Sequence, residues 1–292
     1  MLVERILLIG KHGQVGWELR RTLAPLAHVL AVDLPEIDLA EPAQAKRFVL
    51  EAKPQIIVNA AAYTAVDKAE SEPDLAMRIN GVAPGALAEA AKQLGALLVH
   101  YSTDYVYDGT KTEPYTETDT PNPLNVYGRT KLAGDLAVQD TGCMHLIFRV
   151  CWVYSTRGKS FMRTIMQLAR QQETLRVVAD QIGCPTWARL IAEATALALK
   201  HVLANGDPRA FTGLYHMATV GATSWHGFAE AIVKRMPPTE RKCTSVVPIT
   251  TAEYPTPAKR PAYSVLSCRK LAKTFGITLP HWTEALELAT ES

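Results

Sequence analysis

The chain has 292 residues, 48% hydrophobic and 21% charged, with 31 Lys and Arg against 29 Asp and Glu for a net charge of +2. That length suits one large α/β unit or about two domains, and such a chain buries about 75% of its unfolded surface, so it needs no disulfide or metal to hold a core. The composition excludes a disordered tail or a fibre, and the near-neutral charge excludes a dedicated nucleic-acid binder.

The opening stretch MLVERILLIG holds a four-residue apolar run after Glu4 and Arg5, too short for a signal-peptide core. No run reaches the roughly 18 apolar residues of a membrane span. Ile6–Ile9 is the first predicted strand, followed at once by GKHGQVG and an amphipathic helix that ends by Pro25. His28–Val32 is the second strand and ends in Asp33; Glu41–Ala52 is helical; QIIVNAAA after Pro54 is the third strand. A helical pattern runs from Pro73 to Leu94 and stops at Gly95; Ala96–Tyr101 and His145–Val150 are further strands. Strands alternating with long helices require crossover connections, which give a parallel sheet covered on both faces. Continuous apolar runs such as ILLI and QIIV suit that burial.

Past residue 180 the rhythm loosens. DQIGCPT reads as a loop, Trp187–Leu203 as a helix, and Gly221–Met236 as a helix ended by Pro237 and Pro238. Pro248, Pro255, Pro257 and Pro261 make the next stretch a loop. The predicted fold class is α/β, a doubly wound parallel sheet with a smaller C-terminal cap. Residues 1–150 would form the dinucleotide-binding domain with the reacting residues, and 151–292 a mixed region completing the sheet and building the cap. The five cysteines, Cys143, Cys151, Cys184, Cys243 and Cys268, include no C-x-x-C pair, which argues for a reducing cytoplasm.

Gly10, Gly13 and Gly16 form G-x-x-G-x-x-G between a strand and a helix. Glycine lets the backbone approach a pyrophosphate, and the helix start supplies free N–H groups. The bare spacing arises by chance in about one such chain in ten; its place after the first strand, with the acid Asp33 ending the second, is what gives it weight. Asp33 could bind ribose hydroxyls and favour NAD, whereas Lys11 and His12 could attract a 2′-phosphate, so the cofactor choice stays open between NADPH and NADH.

Tyr107…Lys111 and Tyr127…Lys131 both have the i,i+4 spacing that joins side chains on a helix. Asp108-Gly109 breaks the first pair; the second opens a helical pattern after Pro121 and Pro123. A phenol near pKa 10 beside an ammonium is more easily ionised, and could hand a proton to a carbonyl as hydride arrives. Ser102-Thr103, at the end of the fourth strand, would add a hydroxyl to hold that carbonyl. RGKS at 157–160 is no phosphate loop because Val153 stands where its first glycine belongs. The dispersed histidines give no metal site.

With these motifs in place, the sequence resembles the extended short-chain dehydrogenase/reductase family. The resemblance is carried by GKHGQVGWEL (10–19), VNAAAYTAVDKAESEP (58–73), HYSTDYVYDG (100–109), PLNVYGRTKLAGD (123–135), DQIGCPT (180–186) and YPTPAKRPAYS (254–264), nearly the whole chain. It implies a catalytic trio of Thr103, Tyr127 and Lys131. It also implies cofactor contacts at Gly10, Gly13, Gln14, Val15, Gly16, Asp33, Asp38, Leu39 and the nicotinamide-side residues Ala60, Ala61 and Ala62, with Tyr127 and Lys131. Thr64, Asp104, Tyr105, Trp152 and Arg260 are the implied substrate contacts, Arg260 because guanidinium grips diphosphate oxygens bidentately.

Residues 230–273 hold nine Lys and Arg against three Glu, a basic segment suited to an anionic nucleotide or to a solvated face. The implied reaction is NAD(P)H-dependent reduction of the 4-keto group of dTDP-4-dehydro-L-rhamnose to dTDP-L-rhamnose. The implied partner is a small nucleotide-sugar, with no nucleic acid and no membrane, and a homodimer and an Mg2+ ion are left open. Val150-Cys151 departs from the family's usual Thr-Ser pair before Trp152. A dehydratase or epimerase of the superfamily is the near alternative, but Tyr105 stands where a dehydratase needs an acid. The chain also resembles the non-catalytic regulatory subunit of methionine adenosyltransferase, against which the intact trio weighs.

Overall fold

A computed structural model describes residues 3–291. Five strands, β1 (Arg5–Ile9), β2 (His28–Val32), β3 (Ile56–Asn59), β4 (Leu97–Thr103) and β5 (His145–Val150), are joined by a sixth, Gly213–Met217. All pair in parallel, in the spatial order β2-β1-β3-β4-β5 and then Gly213–Met217. The chain steps outward from β1 to β2, then crosses back to place β3 on the other side of β1. That reversal opens a crevice beyond the carboxyl ends of β1 and β3, where doubly wound sheets bind ligands.

Successive strand residues point to opposite faces, and both faces are dry. Leu8, Val58, Val99 and Phe148 join Leu19, Ile191 and Leu199 of the helices Gln14–Thr22 and Ala188–Asn205 in one core. Leu7, Ile57, Leu98 and Ile147 join Val49 and Leu87 of Pro42–Ala52 and Ala83–Leu94 in the other. A separate cluster in the later chain gathers Tyr154, Ile165, Phe228, Ile232 and Leu286.

Four sequence expectations shift. The sixth strand, GLYHM, was not foreseen: it is five residues long, carries His216, and is held by its register against β5. β4 runs past Tyr101 to Thr103, pairing Thr103 with Val150, so both hydroxyl residues belong to the strand. The helix over residues 73–94 contains a wider π turn, Arg78–Val82, just ahead of Pro84, whose missing N–H removes one regular helical bond. The proline-punctuated stretch begins as a strand, Ser245–Ile249, parallel to Thr174–Val178. Among the described residues no helix is long and apolar enough to cross a membrane.

Candidate active site

At the end of β1, Gly10 takes φ +92°, and its N–H and that of Lys11 both reach the Val32 carbonyl, at 2.9 and 3.2 Å. A Cβ on Gly10 would stand 2.7 Å from the Ala61 nitrogen, and one on Gly16 only 1.9 Å from the Gly10 carbonyl oxygen. Turn, helix start and the end of β3 therefore meet backbone to backbone, a closeness that only glycine permits. Gly13 is the N-cap of Gln14–Thr22 and has no side chain to close it. The first helical N–H groups, those of Gln14, Val15 and Gly16, lack intrahelical partners and lie at the positive end of the helix dipole. Gln14 Oε1 is buried without a partner. The arrangement is built to receive an anion.

Asp33 braces this turn: its carboxylate accepts from the His12 N–H and the Leu34 N–H, both at 3.0 Å. Lys11 is taken up by Glu36, whose carboxyl is held below its ordinary value by that lysine's hydrogen bond. Asp38 closes a turn onto the Ala40 N–H at 2.8 Å, and the Leu39 side chain is buried in the core. Ala60 bonds through its N–H to the Ile9 carbonyl at 2.9 Å, and Ala61 to Asn59 Oδ1 at 3.3 Å. One residue beyond Ala62, the Tyr63 N–H reaches Asn80 Oδ1 at 2.8 Å, and Asn80 Nδ2 returns a bond to the Tyr63 carbonyl at 3.0 Å. Asn80 sits in the π turn, so the wider turn aims an amide at this loop. Thr64 is exposed.

Across the crevice, the helix Val126–Asp140 starts at Asn125, whose Oδ1 caps the Gly128 N–H at 2.8 Å. A Cβ on Gly128 would stand 2.2 Å from the Tyr105 carbonyl oxygen, so the helix docks against the turn that follows β4. This contact brings together Thr103, Asp104, Tyr105 and Tyr127. Thr103 is near enough to the Tyr127 phenol to act on its pKa, donates to Asp104 Oδ1 at 3.1 Å and accepts from the Tyr105 N–H at 3.2 Å. The Tyr105 and Tyr127 rings meet edge to face at 5.8 Å. Lys131, one turn further along, is buried and donates to the Tyr101 carbonyl at 2.6 Å.

Burial governs the electrostatics here. It pushes the Tyr127 phenol up to about 12, against the opposing influence of Thr103, so the lowering expected from Lys131 is not the outcome. It also brings Lys131 down to about 8, with the Asp135 carboxylate opposing, and raises Asp104 to about 6. At neutral pH the site holds a protonated phenol beside a hydroxyl, with a mainly charged ammonium one turn away. That set can donate a proton to a carbonyl oxygen and steady the phenolate left behind.

Arg260 is engaged already. Its guanidinium grips Asp67 in a two-pronged ion pair, 3.0 and 2.8 Å, and also bonds the Ala258 carbonyl at 2.9 Å. A diphosphate reaching Arg260 would compete with a carboxylate. Trp152 holds a left-handed backbone, φ +43°, and stacks on Trp225 with centroids 3.5 Å apart. Cys151 is fully buried, donates its thiol to Asp104 Oδ2 at 3.3 Å, and has its pKa driven well up by burial, so it stays a thiol and no nucleophile. The discarded pair is apart: Tyr107 stacks on Tyr115, and Lys111 pairs with Asp119 at 2.7 Å. Among the described residues no group of three or more His, Cys, Asp or Glu could hold a metal ion.

Sequence reasoning passed over Asn59, Asn80, His100, Asp135 and Arg149, all buried polar groups around the reacting residues. The available signal was an ionisable or amide side chain inside an otherwise apolar run, as in LLVHYST.

The chain matches the family model described as RmlD substrate binding domain over residues 4–292. It is 52% identical over 289 residues to a dTDP-4-dehydrorhamnose reductase of Burkholderia thailandensis, covering 97% of each chain, and 45% identical over 286 residues to one of Escherichia coli, covering 95% of this chain and 94% of that one. Among solved structures, it is similar to a dTDP-4-dehydrorhamnose reductase of Clostridium acetobutylicum (TM-score 0.90, 38% identity) and to that of Bacillus anthracis in complex with NADP (TM-score 0.89, 34% identity), each match covering 98% of both chains.

Proposed function

The chain belongs to the RmlD substrate-binding-domain family, and from that membership we propose that it is an NAD(P)H-dependent reductase of a nucleotide-linked keto sugar, converting dTDP-4-dehydro-L-rhamnose to dTDP-L-rhamnose. The observation that carries the reading is the meeting of Thr103 and a protonated Tyr127 at the carboxyl end of β4, across the crevice from the glycine turn.

The protein groups fit a dinucleotide. Gly10, Gly13, Gln14, Val15 and Gly16 would hold the pyrophosphate, Asp33 with the Asp38–Leu39 backbone the adenosine side, and Ala60, Ala61 and Ala62 the nicotinamide side. When bound, NAD(P)H supplies the hydride. The sugar's C4 oxygen would lie between the Thr103 and Tyr127 hydroxyls, with Tyr127 giving its proton as the carbon takes the hydride and Thr103 stabilising the developing alkoxide. Lys131 would steady the phenolate so formed with its charge; its bond to the Tyr101 carbonyl uses one of three donors. Asp104 and Tyr105 close the near wall, and Thr64, Trp152 and Arg260 are assigned to the sugar and nucleotide. In this reading residues 1–150 carry the cofactor and the chemistry, and residues 151–292 complete the sheet and form the nucleotide-sugar side. Five free cysteines suit a reducing cytoplasm.

The direct test follows nicotinamide absorbance with the keto sugar; substrate-dependent loss is expected, and its absence overturns the reading. A pH profile adds detail. Lys131 is charged below about 8 and neutral above, while Tyr127 keeps its proton to about 12. The reductive kcat/KM is therefore expected to be flat near neutrality and to fall about tenfold per pH unit once pH exceeds about 8. A profile flat to pH 10 would show that the Lys131 charge is not used.

A further inference from the structure

β4 turns His100 and Ser102 toward the helix Val126–Asp140, on which Lys131 and Asp135 stand one turn apart. His100, Lys131 and Asp135 are 1, 2 and 0% exposed. His100 Nε2 lies 3.5 Å from Lys131 Nζ and 4.0 Å from Asp135 Oδ1, a carboxylate oxygen that is buried without a hydrogen-bond partner. The other carboxylate oxygen, Oδ2, accepts from Ser102 Oγ at 2.8 Å and Arg149 Nε at 3.1 Å.

The network assigns the imidazole proton. Asn59 Oδ1 accepts from the Ala61 N–H at 3.3 Å, so its Nδ2 is the group facing His100 Nδ1 at 3.2 Å. An amide donor there makes Nδ1 the acceptor and leaves the proton on Nε2, which faces the Asp135 carboxylate; the Lys131 ammonium is itself a donor and makes no hydrogen bond with that N–H, so the ring bears on the lysine by packing and through the shared counter-charge. Burial together with the Lys131 charge drives the His100 pKa well down, so the ring is neutral. One side chain thus joins the backbone just after β3, through Asn59, to the lysine and its counter-charge.

We propose that His100 is a positioning residue that couples the 59–62 segment to Lys131, fixing the lysine's place between the Tyr101 carbonyl and the Asp135 carboxylate. The proposal rests on the reductase reading for Lys131 and on the same reading for the nicotinamide side of the site. Its physical content is that the cofactor-side loop and the ammonium cannot move independently while the imidazole is present.

The test compares His100→Leu, which has no ring nitrogens, with His100→Gln, whose amide can both accept from Asn59 and donate onward. kcat, the keto-sugar KM and, without substrate, the NADPH Kd from nicotinamide fluorescence are measured for each. The leucine variant is expected to lose at least about tenfold in kcat with KM within about threefold, and to bind NADPH at least about threefold more weakly. Glutamine is expected to restore most of both losses. A leucine variant with kcat and Kd each within about twofold of the parent overturns the proposal, as does a glutamine variant no better than leucine. Should the leucine variant fail to fold, Asn59→Ala, which removes the donor to Nδ1, carries the same readouts and the same limits. A parent chain that binds NADPH but leaves the keto sugar unreduced overturns the functional reading instead, and the Kd comparison then decides the inference alone.

Discussion

Tyr127→Phe is expected to lower kcat for keto-sugar reduction by about 10³-fold while leaving the NADPH Kd within about threefold. The change removes one oxygen from a half-buried ring, and the edge-to-face contact with Tyr105 needs only the ring. What disappears is the proton donor that the chemistry requires. Burial has raised this phenol to about 12, so in the protein it is a poor base and a dependable holder of its proton, the state in which reduction must begin. The remaining Thr103 hydroxyl cannot replace it, because an aliphatic alcohol is a far weaker acid than a phenol and does not give up its proton near neutral pH. Steady-state kinetics with a parallel fluorescence titration checks both halves. Turnover within a few-fold of the parent would show that another group is the acid.

Gly16→Ala is expected to weaken NADPH binding by at least about 100-fold, equal to about 2.7 kcal/mol, and to cost a further 1–3 kcal/mol or so of stability. The new methyl would sit 1.9 Å from the Gly10 carbonyl oxygen. That oxygen cannot retreat cheaply: Gly10 is pinned by its N–H bond to Val32, and its other flank lies against Ala61. The helix start must move instead, carrying the free N–H groups out of place. Gly13→Ala is the control, because the nearest protein atom to its added methyl would be 3.4 Å away. That variant should melt near the parent temperature, so any loss of NADPH affinity would report contact with the ligand itself. Parent-like NADPH binding by Gly16→Ala would contradict the assignment of this turn to the pyrophosphate.

What could be read in the sequence was local in origin. A glycine turn at the mouth of a helix and the Tyr127/Lys131 spacing are properties of neighbouring residues, and five of the parallel strands announced themselves as apolar runs. The group at the end of β4 was within reach of sequence reasoning because Thr103 and the helix Val126–Asp140 follow one another along the chain. Contacts between distant segments left no such mark. Arg260 was picked out for a diphosphate, but its partner Asp67 lies 193 residues away, and nothing near either residue signals the pair. The electrostatic sign at Tyr127 went the other way for a related reason: spacing reveals that an ammonium is near, but not how much water the fold removes. His100 was visible only as a polar letter in an apolar strand, and its connections to Asn59, Lys131 and Asp135 span three separate elements.

In the proposed reaction hydride goes from NAD(P)H to C4 of the nucleotide-linked sugar. This transfer is tested most directly by running the reaction with cofactor deuterated at the transferable position and examining the product by NMR. One deuterium at C4 of dTDP-L-rhamnose is expected for each cofactor oxidised. Cofactor oxidation that leaves C4 free of deuterium, or a sugar returned unreduced, would contradict the proposed transfer.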